Sequence, residues 1–196
     1  CYLTSFLTWE DDVSQWERYG NNGRGISIAF NVESLKKICE EKQIRFQEAF
    51  YGKNADYHQL TDVFEDLFKR NPNVRHSFYP NDWKAAFDQA WAVAGAHKQS
   101  SFASEQEFRL LTLPTWGGKR FDHLGDIHIV TTPSGFRECL YLNWKEACEK
   151  LKIPYENLIT QIMIGPRSSL TVDELKRWLD AKNLKCLAQY VKKSES

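Results

Sequence analysis

The chain has 196 residues, of which 42% are hydrophobic and 14% aromatic, and it contains only 6 prolines. This length and composition predict a folded domain with a buried core and exclude an intrinsically disordered segment. The 26 basic and 26 acidic residues cancel, so nucleic-acid binding is disfavoured and attraction to an anionic membrane surface is not expected.

The apolar runs and the cysteines indicate the cellular compartment of the protein. The longest apolar stretches, such as residues 158–165, fall far short of the roughly 20 residues that a membrane-spanning helix needs. The five cysteines are odd in number and scattered: Cys1, Cys39, Cys139, Cys148 and Cys186. Because no C-x-x-C pair occurs, free thiols in a reducing compartment are indicated. We therefore expect a cytoplasmic protein, and the start at Cys1 inside an apparent strand predicts an excerpt that lacks an N-terminal segment.

Strand and helix patterns alternate in the first third of the chain. The expected elements are a strand over 1–7, a short helix from the N-cap Thr8 to Gly20, a strand over 26–30, a helix carrying Leu35 and Ile38, and a strand around 44–51. The middle third, from Asp56 to His97, carries two longer helical patterns. This order predicts strands near the start of the chain and a helical insertion after them.

From Glu105 onward the hydrophobic pattern changes to period two. The expected elements are a hairpin of strands 127–132 and 137–142, a helix over 145–151, a buried strand over 159–164, a helix over 172–182 capped by Thr171, and a last strand over 184–191. Strands at both ends and helices in the middle predict an α+β fold. We expect one domain over residues 1–196, with a mixed or mostly antiparallel sheet, flanking helices and the helical insertion in the middle third.

Two clusters that could form binding sites have simpler explanations. Gly20, Gly23 and Gly25 lie between a helix and a strand, whereas phosphate-binding loops run from strand to helix. They predict a turn in which Arg24 is an exposed cation. Four residues whose side chains can bind metals lie close together: Asp122, His123, Asp126 and His128. Their spacing matches no standard metal site, so we expect a solvated loop and strand face.

The acidic pair Glu105 and Glu107 is the leading catalytic candidate. In a strand, Glu105, Glu107 and Arg109 share one face while Phe108 and Leu110 lie on the other, buried face. One carboxylate could stabilise a cationic, sugar-like transition state while the other orients a nucleophile, with Lys98 or Arg109 keeping both ionised. The alternative is a solvated strand face with a surface ion pair that contributes under about 1 kcal/mol.

Several short motifs, taken in order, resemble a known family. They are Thr4-Ser5-Phe6, Trp16 with Tyr19-Gly20 and Gly25, the E-x-E-F-R run of residues 105–109, and the I-x-I-G-P run of residues 162–166. Together they resemble the bacterial family called domain of unknown function 2971 over nearly the whole chain. The resemblance implies a fold but no established activity, and members usually carry a further N-terminal segment that this sequence lacks.

A second resemblance, to ADP-ribosyltransferases, concerns the same residues. Those enzymes pair a serine-containing strand with an E-x-E motif around a cleft for NAD. The resemblance implies that Glu107 stabilises the oxocarbenium-like transition state of the nicotinamide ribose, that Glu105 orients the acceptor, and that Ser5 braces the catalytic glutamate. It implies NAD as a substrate, and the expected binding residues are Trp16, Tyr19, Arg24, Lys98 and Arg109.

Two function classes remain open from the sequence. The first is an enzyme that binds a nucleotide such as NAD between the Ser5 strand and the Glu107 strand. The second is a non-catalytic domain that binds a ligand or an unknown protein partner, in a bacterial stress or phage-defence system, with structural carboxylates. Replacing Glu107 by glutamine would abolish turnover in the first class and change little in the second.

Overall fold

The computed structural model describes residues 2–8, 10–52, 61, 65, 69, 93–112, 125–132 and 135–196. These residues form the predicted α+β fold, and most of its strand pairs are antiparallel. The chain divides into two compact units: unit 1 is Cys1–Thr8 with Lys42–Asn143, and unit 2 is Trp9–Glu41 with Trp144–Ser196. Within the described part of the chain, no helix has the length and hydropathy to cross a membrane.

Unit 1 is built mainly from strands. Its described elements are β1 (Tyr2–Leu7), β3 (Arg45–Glu48), β4 (Phe50–Gly52), β5 (His97–Gln99), a 3₁₀ helix (Ser100–Glu105), β6 (Glu107–Thr112), β7 (Gly125–Thr132) and β8 (Gly135–Leu142). Strand β6 lies between β1 and β3 and pairs antiparallel with both. Strands β4 and β5 pair in parallel, and β7 and β8 form the antiparallel pair that the period-two pattern predicts. The central position of β6 sets the place of the acidic motif.

Unit 2 combines helices with a second three-stranded sheet. Its elements are α1 (Val13–Arg18), β2 (Ile26–Phe30), α2 (Val32–Glu41), α3 (Trp144–Leu151), α4 (Tyr155–Leu158), β9 (Ile159–Ile164), α5 (Val172–Ala181), a 3₁₀ helix (Lys185–Tyr190) and β10 (Val191–Lys193). Strand β9 pairs antiparallel with β2 and parallel with β10. Leu175 and Leu179 of α5 pack with Ile162 and Ile164 of β9 in the core.

Helix α5 begins where the sequence predicts, at a capping box. The Thr171 hydroxyl accepts a hydrogen bond from the Glu174 amide (3.2 Å), and the Glu174 carboxylate accepts one from the Thr171 amide (2.8 Å). This reciprocal pair satisfies two donors that the start of a helix would otherwise leave unpaired, and such a cap contributes about 1 kcal/mol. Leu175 and Leu179, four residues apart, then face the core together.

Two predicted boundaries in the first third are wrong. The N-cap of α1 is Asp12, not Thr8, because the Asp12 carboxylate accepts from the Ser14 amide (2.7 Å) and the Gln15 amide (3.2 Å). The strand predicted around 44–51 is divided into β3 and β4 at Ala49, whose amide donates to the Glu107 carbonyl (2.8 Å). Both corrections arise from contacts that hydrophobic periodicity does not encode.

Two other predictions concern elements later in the chain. The strand predicted over 184–191 is mostly a 3₁₀ helix, because the parallel pairing with β9 starts only at Val191, opposite Ile162. The two predicted helices between Asp56 and His97 lie largely outside the described residues, although residues 61, 65, 69 and 93–96 are helical. His97 belongs to β5 and not to a helix.

The glycine-rich turn between α1 and β2 packs against the end of β9. The Gly165 amide donates to the Gly25 carbonyl (2.9 Å), and the Arg167 amide donates to the Gly23 carbonyl (2.9 Å). A Cβ atom at Gly165 would lie 2.3 Å from the Gly23 carbonyl oxygen, so a side chain does not fit there. The prediction of a turn, with Arg24 exposed in it, is confirmed.

Candidate functional site

The pairing of β1 with β6 brings Ser5 to Glu107. Ser5 lies directly opposite Arg109 in the antiparallel register, and Glu107 shares a strand face with Arg109 because side chains alternate with period two. The Ser5 hydroxyl donates a hydrogen bond to Glu107 Oε2 (3.2 Å) across 102 residues of sequence. The serine-containing strand and the second glutamate of the E-x-E motif are therefore neighbours in space.

Two cations complete the surroundings of the Glu107 carboxylate. Lys98, from β5, donates to Glu107 Oε1 and also to Glu105 Oε2 (2.6 Å). Arg109 Nε donates to Glu107 Oε2 (3.0 Å), while Arg109 Nη1 donates to the carbonyls of Gly95 (2.7 Å) and His97 (3.1 Å). Each negative charge of the pair is thus matched by a positive charge, and both oxygens of Glu107 are engaged.

Glu105 does not lie on the strand, contrary to the prediction. It is the last residue of the Ser100–Glu105 3₁₀ helix, and β6 begins only at Glu107. Between them Gln106 adopts the left-handed conformation (φ 44°, ψ 55°) and its amide donates to the Ala103 carbonyl, which ends the helix. The two carboxylates converge on Lys98 through this turn and not through strand alternation.

The prediction of a solvated face is also wrong for this motif. The Glu105 side chain is 0% exposed and that of Glu107 5%, while Lys98 and Arg109 are 14% and 11% exposed. Charges this deeply buried need both a counter-ion and hydrogen bonds, since an unpaired buried charge costs several kcal/mol. The site is a buried, charge-balanced network.

The network favours the charged forms of Glu107 and Lys98. Burial alone would raise the pKa of Glu107, but the hydrogen bonds and positive charges of Lys98 and Arg109 outweigh burial and lower it. Burial alone would lower the pKa of Lys98, but hydrogen bonds to Glu105 and Glu107 outweigh burial and raise it. An ionised Glu107 can stabilise a positive charge that develops beside it, and it is a poor general acid at neutral pH.

Tyr51 is a member of the site that the sequence did not reveal. Its hydroxyl oxygen accepts a hydrogen bond from the Glu107 amide (2.7 Å) across 56 residues of sequence. It is also the strand neighbour of Lys98 in the parallel β4–β5 pair. No local pattern connects an aromatic residue of a short strand to an acidic motif so far along the chain, so only the tertiary fold identifies it.

The remaining predicted binding residues belong to unit 2. Trp16 is 5% exposed, its Nε1 donates to Asp11 Oδ1 (2.8 Å), and a Cβ atom at Gly20 would lie 2.5 Å from its ring. Its ring is a core element with little surface left for a ligand. Tyr19 is 60% exposed, and Arg24 is exposed in the glycine-rich turn. The predicted residues that the structure brings together are those of unit 1: Ser5, Lys98, Glu105, Glu107 and Arg109.

The acidic and histidine cluster considered for metal binding lies partly outside the described residues, since Asp122 and His123 fall there. In β7, His128 contacts the ring of Tyr141 edge-on, with the ring centroids 4.6 Å apart. Among the described residues, no group of three or more His, Cys, Asp or Glu side chains is arranged to hold a metal ion.

Comparison with known proteins connects this site to one family. No curated protein and no solved structure matches the chain. The model of one family, described as protein of unknown function (DUF2971), matches residues 15–110, a segment that includes the Trp16 to Gly25 turn, Tyr51, Lys98 and the E-x-E-F-R motif. The resemblance inferred from the motifs is therefore confirmed, and residues 15–110 carry the sequence pattern of the DUF2971 family of unknown function.

Proposed function

We propose that unit 1 binds NAD and cleaves its nicotinamide–ribose bond, with Glu107 as the catalytic carboxylate. The observation that carries the proposal is the hydrogen bond from Ser5 to Glu107, 3.2 Å long, between adjacent strands. The resemblance to ADP-ribosyltransferases implies this pairing of a serine strand with the second glutamate. Two residues 102 positions apart are not expected to meet by local sequence preference alone.

The chemistry fits a carboxylate that stays ionised. When the bond between the ribose carbon and the nicotinamide nitrogen breaks, its electron pair leaves with nicotinamide and the ribose becomes an oxocarbenium-like cation. The anionic Glu107, whose pKa is lowered by Lys98 and Arg109 despite burial, stabilises that cation. A nucleophile then bonds to the ribose carbon and loses its proton to solvent. Water as nucleophile gives hydrolysis, and an acceptor side chain or nucleotide gives transfer.

The two glutamates have different tasks in this proposal. Lys98 neutralises Glu107 in the resting protein, yet it also donates to Glu105 at 2.6 Å. Glu105 is fully buried and is not accessible to an acceptor, so we assign it the task of retaining the Lys98 ammonium while Glu107 turns to the substrate cation. Ser5 is itself exposed and marks the side from which the substrate reaches Oε2 of Glu107.

The second candidate function is a non-catalytic binding domain. It is favoured by the low exposure of the Glu107 side chain, 5%, and by the full use of both its carboxylate oxygens. A network of this kind also suits a purely structural role, in which it joins β5 to β6 within unit 1. The two candidates differ in the role of the Glu107 charge: the enzyme needs it for turnover, whereas the binding domain needs it only to hold the structure together.

Nicotinamide release from NAD, measured with the wild-type chain and with Glu107→Gln, tests the proposal. Loss of an electrostatic group that acts in the transition state lowers kcat by about 10²–10³-fold, so we expect the variant to lose activity by at least this factor. Glu48→Gln is the matched control, because Glu48 is an exposed carboxylate on β3, next to β6 in the same sheet. It should keep wild-type activity.

Thermal unfolding of both variants separates chemistry from folding. A Glu107→Gln variant that is still folded at the assay temperature and releases no nicotinamide supports the catalytic role, even if it melts below the wild type. Equal turnover by the wild type and a folded Glu107→Gln variant rejects it. Absence of both release and thermal stabilisation by NAD in the wild type would favour the binding-domain function instead.

A further inference from the structure

We infer that Tyr51 determines specificity for a ribose hydroxyl at this site, an inference that rests on the proposed function. The direction of one hydrogen bond carries it. The Glu107 amide can only donate, so in its 2.7 Å contact the Tyr51 oxygen is the acceptor. The phenolic proton therefore points elsewhere, and no described residue accepts it, so it can serve an acceptor on a ligand.

The Tyr51 hydroxyl lies against the backbone of the residue that carries the catalytic carboxylate. Tyr51 and Lys98 are neighbours in parallel strands, so their side chains project from the same face of the β4–β5 pair. The Lys98 side chain on that face reaches the Glu107 carboxylate, and the Tyr51 hydroxyl reaches the Glu107 amide. Tyr51 is half-buried, so part of this residue remains accessible to solvent.

A phenol donor next to an ionised carboxylate matches a group that both accepts and donates. A sugar hydroxyl is such a group, since it can give its proton to Glu107 and receive the proton of Tyr51 on its oxygen. A hydrogen atom in place of that hydroxyl would leave Tyr51 without its ligand partner. The site then distinguishes ribonucleotides from the corresponding deoxy compounds, and Tyr51 is responsible for part of the difference.

Calorimetric titration of the full chain tests the inference. The ligands are NAD and two analogues in which the nicotinamide ribose lacks the 2′- or the 3′-hydroxyl, each titrated into wild type, Tyr51→Phe and the control Thr8→Val. Thr8 makes an exposed 3.4 Å hydrogen bond to Gln106, and among the described residues its side chain makes no hydrogen bond to Lys98, Glu105, Glu107 or Arg109. Because one hydrogen bond is lost, we expect Tyr51→Phe to bind NAD about tenfold more weakly than the wild type does. For the same reason the wild type should bind one of the two analogues about tenfold more weakly than it binds NAD.

The double comparison excludes a merely structural effect. If Tyr51 donates to the missing hydroxyl, the wild type and Tyr51→Phe bind that analogue equally well. If Tyr51→Phe instead binds all three ligands more weakly than the wild type by the same factor, the substitution distorts the site in general and the inference is overturned. Wild-type protein that binds NAD and both analogues alike also overturns it, even when Tyr51→Phe does not fold. Wild-type protein that binds no NAD rejects the proposed function together with the inference, whereas nicotinamide release without any dependence on Tyr51 rejects the inference alone.

Discussion

Gln106 is the residue on which the geometry of the acidic motif depends. It adopts a left-handed backbone conformation between a 3₁₀ helix and a strand, and so directs Glu105 and Glu107 to the same ammonium group. For a residue with a Cβ atom this conformation costs roughly 1–2 kcal/mol. The protein tolerates this strain because the ion pairs with Lys98 hold Glu105 and Glu107, the two neighbours of Gln106, in place.

This strain predicts opposite effects for two substitutions at position 106. Gln106→Gly removes the Cβ atom and should keep or raise the free energy of unfolding, by up to about 1 kcal/mol. Gln106→Val places a β-branched residue there and should lower it by about 1–2 kcal/mol. Urea unfolding measures both, with Gln47→Gly on β3 as the control, where glycine in a strand is expected to destabilise. Equal stability of the glycine and valine variants at position 106 would show that no strain is present.

Sequence patterns predicted part of this site and missed the rest for physical reasons. Period-two alternation correctly placed Glu107 and Arg109 on one face, because that relation depends only on β6 itself. The left-handed turn at Gln106 was missed because neither glycine nor asparagine marks it. Lys98 was expected as a cation near the pair, but burial of the pair was missed because β1 and β3, which flank β6, are distant in sequence and local periodicity does not encode their pairing.

At the scale of elements, the contact between the glycine-rich turn and the end of β9 leaves no room for a side chain. Two backbone hydrogen bonds, from the amides of Gly165 and Arg167, join them. Backbones approach this closely only where side chains are absent, and Gly165 is fully buried against the Gly23 carbonyl. The two sequence motifs, one around Gly25 and one around Gly165, are thus two halves of one contact in unit 2.

Gly165→Ala is therefore expected to destabilise the protein. Its methyl group would lie 2.3 Å from a backbone oxygen, which forces the turn away from β9 and costs about 1–3 kcal/mol, as overpacking does elsewhere. Chemical denaturation followed by tryptophan fluorescence measures the change. Ser27→Ala, in β2 of the same sheet, is the control and should stay within about 0.5 kcal/mol of the wild type. An unchanged midpoint for Gly165→Ala would contradict the close contact.

Elements whose hydrophobic faces repeat over several residues were predicted well. Strand β9 has the predicted bounds, and α5 starts at its predicted cap, because a buried strand and an amphipathic helix carry their signals locally. The predicted strand over 184–191 failed, since only three residues find a pairing partner on β9 and the rest form a 3₁₀ helix. Strand formation there depends on a neighbour that periodicity does not specify.

For the molecule as a whole, each unit contains a carboxylate whose charge supports the fold. In unit 1 it is Glu107. In unit 2 it is Asp11. Burial alone would raise the pKa of Asp11, but hydrogen bonds outweigh burial and hold this pKa well below its usual range. The donors belong to Ser194, Trp16, Glu195 and Ser196. Both groups therefore bind protons more readily in the unfolded chain than in the folded one.

The sign of the resulting pH dependence follows from these directions. A carboxyl whose pKa is lower in the folded than in the unfolded chain stabilises the fold at pH values above its unfolded pKa. The unfolded pKa is 4.5 for Glu107 and 3.8 for Asp11. This stabilisation is lost as the pH falls through the folded pKa. We expect the free energy of unfolding to decrease steadily below about pH 4.5. The raised pKa of Lys98 has its effect at alkaline pH, where its contribution to stability is lost as the pH rises through the pKa of Lys98 in the folded protein.

Urea titrations between pH 7 and pH 3 test this account with two neutral variants. Glu107→Gln and Asp11→Asn should each be less stable than the wild type at pH 7 and should each lose less stability on acidification, because the group that gains a proton on unfolding is gone. The carboxylates belong to different units and share no hydrogen-bond partner among the contacts described above, so the two reductions in slope should add in the double variant. Acid curves parallel to that of the wild type would show that neither charge supports the fold, and for Glu107 this would remove the electrostatic basis of the proposed catalytic role as well.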